Sequence, residues 1–269
     1  MDYTRVLDLF PLWVLCVATV AVVALSIESG FRLGKYRRSR TDQEKDAPVG
    51  VIVASTLGLL GFMLAFTFGL AASRFDARRQ VVLEESNAIG TAYLRAGLLP
   101  EPNSAEIRRL FQEYVDVRLQ VVQSGGIEQV ISKSADLHRA LWRQTTEVAA
   151  KDSRSILTGL FIQSLNEVID LHSKRALIGL HSRIPEIIWL ALYFIAVLAM
   201  GALGYQEGLA GSRRSLAVPA LALTFSAVML LIADLDRPQE GLLRVSQQAM
   251  VDLQNSLKDL NSKPERATP

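Results

Sequence analysis

Four stretches of this chain contain no charged residue, and each is long enough to cross a lipid bilayer as a helix. They are residues 9–27, 47–73, 187–206 and 215–233, which are 19 to 27 residues long. An α-helix rises about 1.5 Å per residue and the hydrocarbon core of a bilayer is about 30 Å thick, so about 20 residues suffice. The pattern predicts an integral membrane protein with four transmembrane helices, TM1 to TM4 in chain order.

Composition excludes several classes of function. A net charge of +2 over 269 residues gives no basic surface of the size that nucleic acids require, so we expect no nucleic-acid partner. One cysteine, Cys16 in TM1, and three histidines predict neither a disulfide framework nor a structural zinc site. No phosphate-binding glycine loop, nucleophile elbow or metalloprotease motif is present in the sequence, so we expect no cofactor and no enzymatic activity.

The segments between the spans define the predicted organisation. A basic loop (28–46) joins TM1 to TM2, and a short loop (207–214) joins TM3 to TM4. A soluble helical domain (74–186) lies between the two hairpins, and an amphipathic tail (234–269) follows TM4. Because residues 74–96 contain no proline, TM2 is expected to continue out of the bilayer. The predicted fold is all-α: two transmembrane hairpins flanking a soluble helical domain.

Helical periodicity is the main signal outside the spans. Asn103 followed by Glu106 resembles a capping box, and residues 127–150 and 153–182 are expected to form further helices. In the tail, apolar residues at helical spacing form a seam comprising Met250, Leu253, Leu257 and Leu260. This seam could pack within one chain, between chains or on lipid headgroups.

Basic residues in the short loops predict the orientation. The loop 28–46 contains six of them, and Arg213 and Arg214 lie in the loop 207–214. Short loops rich in lysine and arginine are usually cytoplasmic, so we expect both loops in the cytoplasm of a bacterial inner membrane. The helical domain would then face the opposite side.

TM2 contains small residues at a spacing that permits close contact between helices. Its candidate pore or constriction residues are Gly58, Gly61, Phe62, Ala65, Phe66 and Gly69. One interpretation is tight helix packing, because small residues four apart let backbones approach in lipid. The other is a helix that lines a narrow path, in which the phenylalanines form an apolar constriction.

Charged residues cluster where TM2 and TM4 end. Because these spans run in the same direction, their carboxyl ends lie on the same side of the membrane. Arginines on TM2 would repel one another unless acids lie nearby. We therefore predict an interface charge network and a role in ion passage. Its members are Arg74, Asp76, Arg78, Glu85, Asp234, Asp236 and Arg237.

Two arrangements of acidic residues are weaker candidates for chemistry. Glu84 and Glu85 are adjacent and could serve acid–base chemistry, although a solvated helix face is the simpler interpretation. Glu167, Asp170 and His172 are close in sequence, but His172 falls off the face that the two acids share. No metal site is predicted there.

Longer strings of residues carry a family resemblance. GFMLAFTFGLAASRFDARR (61–79) precedes EESNAIGTAYLR (84–95), and DLDRPQEG (234–241) is followed by VSQ (245–247). Together they resemble a bacterial family of unknown function that is described as bestrophin-like. Over nearly the whole chain, the matching positions include Arg74, Asp76, Arg78, Glu85, Asn87, Tyr93, Asp236, Arg237, Pro238 and Gly241.

The resemblance implies a relation to bestrophins, which are pentameric anion channels with four membrane helices and a pore lined by the second. It therefore implies a homo-oligomer in the bilayer that conducts small anions along TM2. Bestrophins keep both termini and most of the protein in the cytoplasm, which is opposite to the orientation predicted from charge. The sequence also departs from bestrophins in that Asp234-Leu-Asp is too short for their calcium clasp.

The alternative to an anion channel is a non-transporting scaffold or envelope protein whose helical domain binds a partner.

Overall fold

The computed structural model describes residues 10–40, 46–124, 127–211, 217–237 and 241–262, and within these ranges it is helical with no strand. The helices are α1 (Leu12–Arg38), α2 (Asp46–Ala96), α3 (Asn103–Ser124), α4 (Ile127–Lys151), α5 (Ile156–His181), α6 (Glu186–Ala210), α7 (Ala217–Asp236) and α8 (Gln248–Ser262). Four of them, α1, α2, α6 and α7, are long and apolar enough to cross a membrane. The predicted fold class is confirmed.

The chain divides into two compact units. The membrane unit contains α1, α2 as far as Phe75, α6 and α7. The helical unit contains α2 from Asp76 onward, α3, α4, α5 and α8. One helix of 51 residues, α2, therefore contributes to both, because no proline or helix-breaking pair interrupts it after the membrane segment.

Each unit has its own apolar core. In the membrane unit, the core includes Leu60, Leu64, Leu192, Met200 and Ile232. In the helical unit, residues from five helices meet in a core that includes Ile89, Phe111, Leu141, Phe161, Leu165 and Met250.

The helices extend beyond the apolar runs into segments that the sequence assigns to loops. The predicted loop 28–46 is helical from residue 28 to Arg38, because it contains no proline and Arg32 pairs with Glu28 one turn earlier at 2.8 Å. Likewise, α6 continues to Ala210 and ends at Gly211, whose φ of 63° suits glycine. Residues 1–9, 41–45, 125–126, 212–216, 238–240 and 263–269 lie outside the described residues, and with them Arg213, Arg214 and Pro238.

The capping box predicted at the start of α3 is wrong. The Asn103 amide donates to Gln144 Oε1 at 2.8 Å and its oxygen accepts from Lys151 Nζ at 2.8 Å, so it joins α3 to α4. Glu101 instead accepts the Ala105 N–H at 3.2 Å. A true cap occurs at α5, where Ser155 Oγ accepts the Thr158 N–H at 3.2 Å.

The tail seam packs within its own chain. Met250 and Leu257 are buried in the core of the helical unit, with Leu253 packed against it, while Leu260 is half exposed. Hydrogen bonds reinforce this contact, since Ser86 Oγ donates to the Ala249 carbonyl at 2.8 Å.

Close backbone contact in the membrane unit occurs between α1 and α6. A Cβ atom at Gly30 would collide with the Gly201 carbonyl oxygen, and one at Gly204 with the Ile27 carbonyl oxygen. The glycines at 34 and 208 meet the facing backbone in the same way. Among the described residues, close contact between helix backbones is therefore found between α1 and α6, and tight packing along TM2 stays a prediction.

We expect Gly204→Ala to lower the free energy of unfolding by about 1–3 kcal/mol, because the methyl group would force α1 and α6 apart. Gly201→Ala is the matched control on the same helix, since its Cβ would lie 3.7 Å from the Ser26 carbonyl oxygen, an ordinary contact. Thermal unfolding of both variants in detergent checks this. Equal stability of the two variants would contradict the packing described.

Candidate functional site

One face of α2 remains uncovered along the membrane segment. This open face comprises Val51, Ser55, Gly58, Phe62, Phe66, Gly69 and Ser73, which no other described residue covers. Their spacing of three to four residues places them on one side of the helix, since 3.6 residues make a turn. The opposite side, including Leu60 and Leu64, is buried in the core of the membrane unit.

The open face mixes small, polar and large apolar side chains. The exposed residues of α6 include the large apolar Ile187, Leu190 and Phe194, which suit contact with lipid chains. The open face combines two serines and two glycines with Val51 and two phenylalanines, and small and polar residues are typical of surfaces that face other protein or water in a membrane protein.

Most of the residues that the sequence nominates as pore or constriction candidates lie on or beside this face. Gly58, Phe62, Phe66 and Gly69 are on it, Ala65 is exposed at its edge, and Gly61 is half-buried next to it. A Cβ atom at any of the three glycines would meet nothing within 4 Å in this chain. The face therefore has room for a ligand or another chain.

The arginines at the end of the membrane segment point away from the open face. Arg74 and Arg78 follow Phe62 by 12 and 16 residues, which rotates them by about 120° and 160° around the helix. Arg74 is half-buried, and its buried Nη1 has no hydrogen-bond partner among the described residues. Arg78 is buried. Asp76 is the exposed charged residue nearest to the line of the open face.

The charged residues at the end of α7 hold the surrounding backbone. Asp234 accepts the Leu242 and Leu243 N–H groups at 2.8 and 3.0 Å, where a Cβ at Gly241 (φ 131°) would collide with its carboxylate. Asp236 accepts the Ile184 N–H at 2.8 Å. Arg237 donates to the Phe10 carbonyl at 2.6 Å. These contacts give three of the nominated residues a structural role, and the network joining them to Arg74 stays a prediction.

Glu85, the remaining member of the predicted network, lies at the centre of a polar cluster inside the helical unit. Its carboxylate is fully buried and accepts a hydrogen bond from Tyr114 Oη at 2.8 Å. Arg118 Nη2 donates to Glu85 Oε2 at 3.2 Å, and Arg175 Nη1 donates to the same oxygen. Two histidines complete the cluster: His172 Nδ1 lies 3.1 Å from Tyr114 Oη, and the His138 ring packs against both Tyr114 and His172.

Electrostatics keep Glu85 ionised. Burial alone would raise the pKa of its carboxyl, but the charges of Arg118 and Arg175 and the hydrogen bonds from Arg175 and Tyr114 outweigh burial and lower that pKa. Burial and the neighbouring Glu85 charge raise the pKa of Tyr114 well above its ordinary value, so the phenol keeps its proton. The cluster is therefore a charged pair of arginines around a carboxylate, stabilised by a neutral phenol.

Sequence reasoning missed the partners of Glu85. Tyr114 and Arg118 are four residues apart on α3, and His138 lies on the apolar stripe of α4 between Ser134 and Leu141. A polar residue within an apolar stripe is a signal for a buried polar contact. That signal identifies candidates but does not say which residues meet.

The adjacent residues Glu84 and Glu85 lie in different environments. Glu84 lies on the surface and pairs with Lys174 at 2.9 Å, whereas Glu85 is buried. Among the residues that the structure describes, no group of three or more histidine, cysteine, aspartate or glutamate side chains could hold a metal ion.

Comparisons with known proteins agree with this architecture. A family profile described as the Bestrophin-like domain matches residues 15–250. No curated protein sequence matches the chain.

Similar solved structures cover nearly the whole chain. The crystal structure of a mutant bacterial bestrophin homologue from Klebsiella pneumoniae is 15% identical, with a TM-score of 0.66, and the match covers 94% of this chain and 99% of that chain. A second structure of the homologue, phased with zinc, is 15% identical with a TM-score of 0.63, covering 93% and 98%. A structure described as a membrane protein mutant is 14% identical with a TM-score of 0.64, covering 94% and 99%. These likenesses show a shared fold.

We expect Glu85→Gln to reduce the free energy of unfolding by about 3 kcal/mol or more, because it leaves Arg118 and Arg175 buried without their counter-charge. Glu84→Gln is the matched control one residue away, and it should cost less than about 1 kcal/mol because its ion pair is on the surface. Chemical denaturation in detergent at neutral pH measures both. Similar losses in the two variants would show that Glu85 does not organise the helical unit.

Proposed function

This chain belongs to the bestrophin-like family, and from that premise we propose that it forms a homo-oligomeric membrane channel for small anions, with α2 lining the path. The family resemblance to bestrophins and the exposed surface of α2 in this chain support this function.

The open face of α2 is the observation that carries the proposal. In lipid, exposed glycines and serines gain little from contact with acyl chains, and Ser55, Gly58, Gly69 and Ser73 are exposed on this face beside Val51, Phe62 and Phe66. Copies of the chain arranged around an axis with this face inward would remove it from lipid and give it a water-filled path. Gly58 and Gly69 would give the path width, and Phe62 and Phe66 would narrow it.

The two phenylalanines suit a hydrophobic constriction. Phe62 is 66% exposed and Phe66 is 58% exposed, and they lie one turn apart on the open face. Rings from several copies at one level would form an apolar gate that conducts only when wetted.

Charge at the end of the path contributes to selectivity. Asp76 is exposed near the open face, whereas Arg74 and Arg78 are turned away from it. The two arginines would therefore act on a passing anion through their long-range electrostatic field and not through direct contact. The negative charge of Asp76 opposes anion entry, so Asp76→Asn should shift the reversal potential towards the equilibrium potential of the anion. Arg74→Gln should shift the reversal potential in the opposite direction and by a smaller amount.

A second candidate function rests on a different surface. Ile156, Leu157 and Leu160 at the start of α5 are apolar yet exposed, with Ile156 at 78%. An exposed apolar patch on a water-facing unit is typical of a contact surface. A non-transporting scaffold that binds an envelope partner through α5 would explain this patch but not the open face.

We propose a location in a bacterial inner membrane, with residues 28–46 and 207–214 in the cytoplasm and the helical unit on the other side. Arg32, Lys35, Arg37, Arg38 and Arg40 on one short segment support this orientation. Labelling of Ser39→Cys, in a Cys16→Ser background, with a thiol reagent that cannot cross the membrane tests this orientation. We expect no reaction when the reagent is added from the outer side, and reaction from that side would reverse the assignment.

We expect purified protein in sealed vesicles to conduct chloride or nitrate, and Phe62→Ala to raise that flux several-fold by widening the constriction. Phe194→Ala on α6 is the matched control, because Phe194 is 63% exposed but lies among lipid-facing residues. Its flux should equal that of the wild type. Ion-selective electrodes measure the flux, and the absence of transport of chloride, nitrate and cations by folded protein would leave the scaffold as the function.

A further inference from the structure

The two buried histidines of the helical unit pack edge to face. The ring centroids of His138 and His172 are 4.8 Å apart and the rings are inclined by 89°. Tyr114 lies 4.9 Å from the His138 ring, centroid to centroid. Both histidines are at most 8% exposed, and His138 Nε2 is buried without a hydrogen-bond partner among the described residues.

The hydrogen bonds fix where the protons lie. Tyr114 has a single hydroxyl proton, and it is donated to the ionised Glu85 carboxylate at 2.8 Å. The 3.1 Å contact between Tyr114 Oη and His172 Nδ1 must then be donated by the histidine. His172 is thus the Nδ1–H tautomer, and a further proton would have to enter at its Nε2.

Titratable or polar groups surround this pair of histidines, and they come from every helix packed around it. Glu85 comes from α2, Tyr114 and Arg118 from α3, His138 from α4, His172 and Arg175 from α5, and the uncharged Gln247 from the segment before α8. Two arginines and one carboxylate leave one net positive charge. Protonation of either histidine therefore adds a like charge in a buried region, where repulsion between like charges is stronger than at the surface.

The same cluster holds the segment that leads into α8. Arg175 donates through Nη1 to Glu85 and through Nη2 to Gln247 Oε1 at 2.7 Å, so one guanidinium joins α5, α2 and the tail. Ser86, the residue after Glu85, donates to the Ala249 carbonyl. A displaced Arg175 would release the first of these two attachments and weaken the second.

We propose that the cluster of Glu85, Tyr114, Arg118, His138, His172 and Arg175 is an acid-sensitive latch: protonation of the buried histidines repels Arg175 and releases α8 from the helical unit. This device does not depend on ion transport. It makes the attachment of the tail helix a function of pH.

The direction of the pH dependence follows from the histidine pKa values. Burial, with the neighbouring His172, lowers the pKa of His138 from 6.5 to about 4, and burial with Arg118 lowers the pKa of His172 to about 4. The state in which α8 is released therefore binds more protons than the state in which α8 is attached, between about pH 6.5 and 4. The attachment of α8 has its full stability above pH 6.5 and loses stability as the pH falls through that window.

Hydrogen exchange of the α8 amides at pH 7.5 and pH 5, corrected for the intrinsic exchange rate, tests the latch on the full chain in detergent. For a histidine whose pKa rises from about 4 to 6.5 on opening, the opening constant increases roughly 30-fold between these pH values. Protection of Met250 and Leu253 should fall by about that factor for each histidine that opening exposes.

Variants separate the latch from general acid sensitivity. His138→Phe keeps an aromatic ring against Tyr114 and removes both ring nitrogens, of which Nε2 is buried without a hydrogen-bond partner among the described residues. It should fold and reduce the loss of α8 protection by roughly 30-fold. The third histidine, His181 at the end of α5, provides the control, and His181→Gln should behave as the wild type.

Three results would overturn the proposal. They are unchanged α8 protection in the wild type at pH 5, an equal loss in the wild type and His138→Phe, or removal of the effect by His181→Gln. An independent measurement that does not require a variant is the titration of the three imidazoles by NMR. Two of them should titrate below pH 5, and ordinary titration near pH 6.5 for all three would contradict a buried latch.

Discussion

A protein segment in lipid must satisfy its own backbone hydrogen bonds, and this constraint determines how the membrane unit is built. For uncharged stretches of 19 to 27 residues, the helix pairs the peptide groups within the segment itself. Once the backbone is fixed as helix, side-chain size decides which face meets lipid and which meets protein. On α1 and α6, glycines face inward and large apolar residues face outward. The open face of α2 departs from this rule in part, because glycines and serines are exposed there beside large apolar residues.

The helical unit follows a different constraint, which is the cost of a buried charge. Glu85 has no exposure to water, so its stability depends on donors from other helices. Two arginines and a phenol supply them, and the same arginine that balances Glu85 also holds the segment before α8. Order in α2, α5 and the tail is thus linked through one carboxylate, which also places two neutral histidines in a positively charged environment.

Sequence patterns were sufficient for the helices and for the membrane class, because both depend on local composition and length. They were insufficient wherever a contact joins distant residues. The same small-residue spacing occurs in α2 and in α6, and only the positions of their neighbours show that Gly204 meets a backbone while Gly58 meets open space. Asn103 has a capping sequence, yet its amide is used by α4, because a tertiary hydrogen bond displaced the local one.

The candidate site was predicted in part for the same reason. Periodicity placed Phe62 and Phe66 together on TM2, since they share one helix face. Grouping Glu85 with Asp236 relied on nearness to the ends of spans, whereas the structure gives Glu85 partners from α3 and α5, 29 to 90 residues away along the chain. Charge alone does not identify a partner when many arginines are present. Burial and side-chain direction do, and they arise only from the folded chain.

Water access to α2 tests the central claim most directly. In a Cys16→Ser background, single cysteines at Ser55, Gly58, Phe66 and Ser73 would be treated with a water-soluble thiol reagent in intact membranes, with Leu190→Cys and Leu198→Cys on α6 as lipid-facing controls. If α2 lines an aqueous path, the α2 cysteines react and the α6 cysteines do not. Equal protection of both sets would contradict the path and would mean that the open face is covered by protein or lipid.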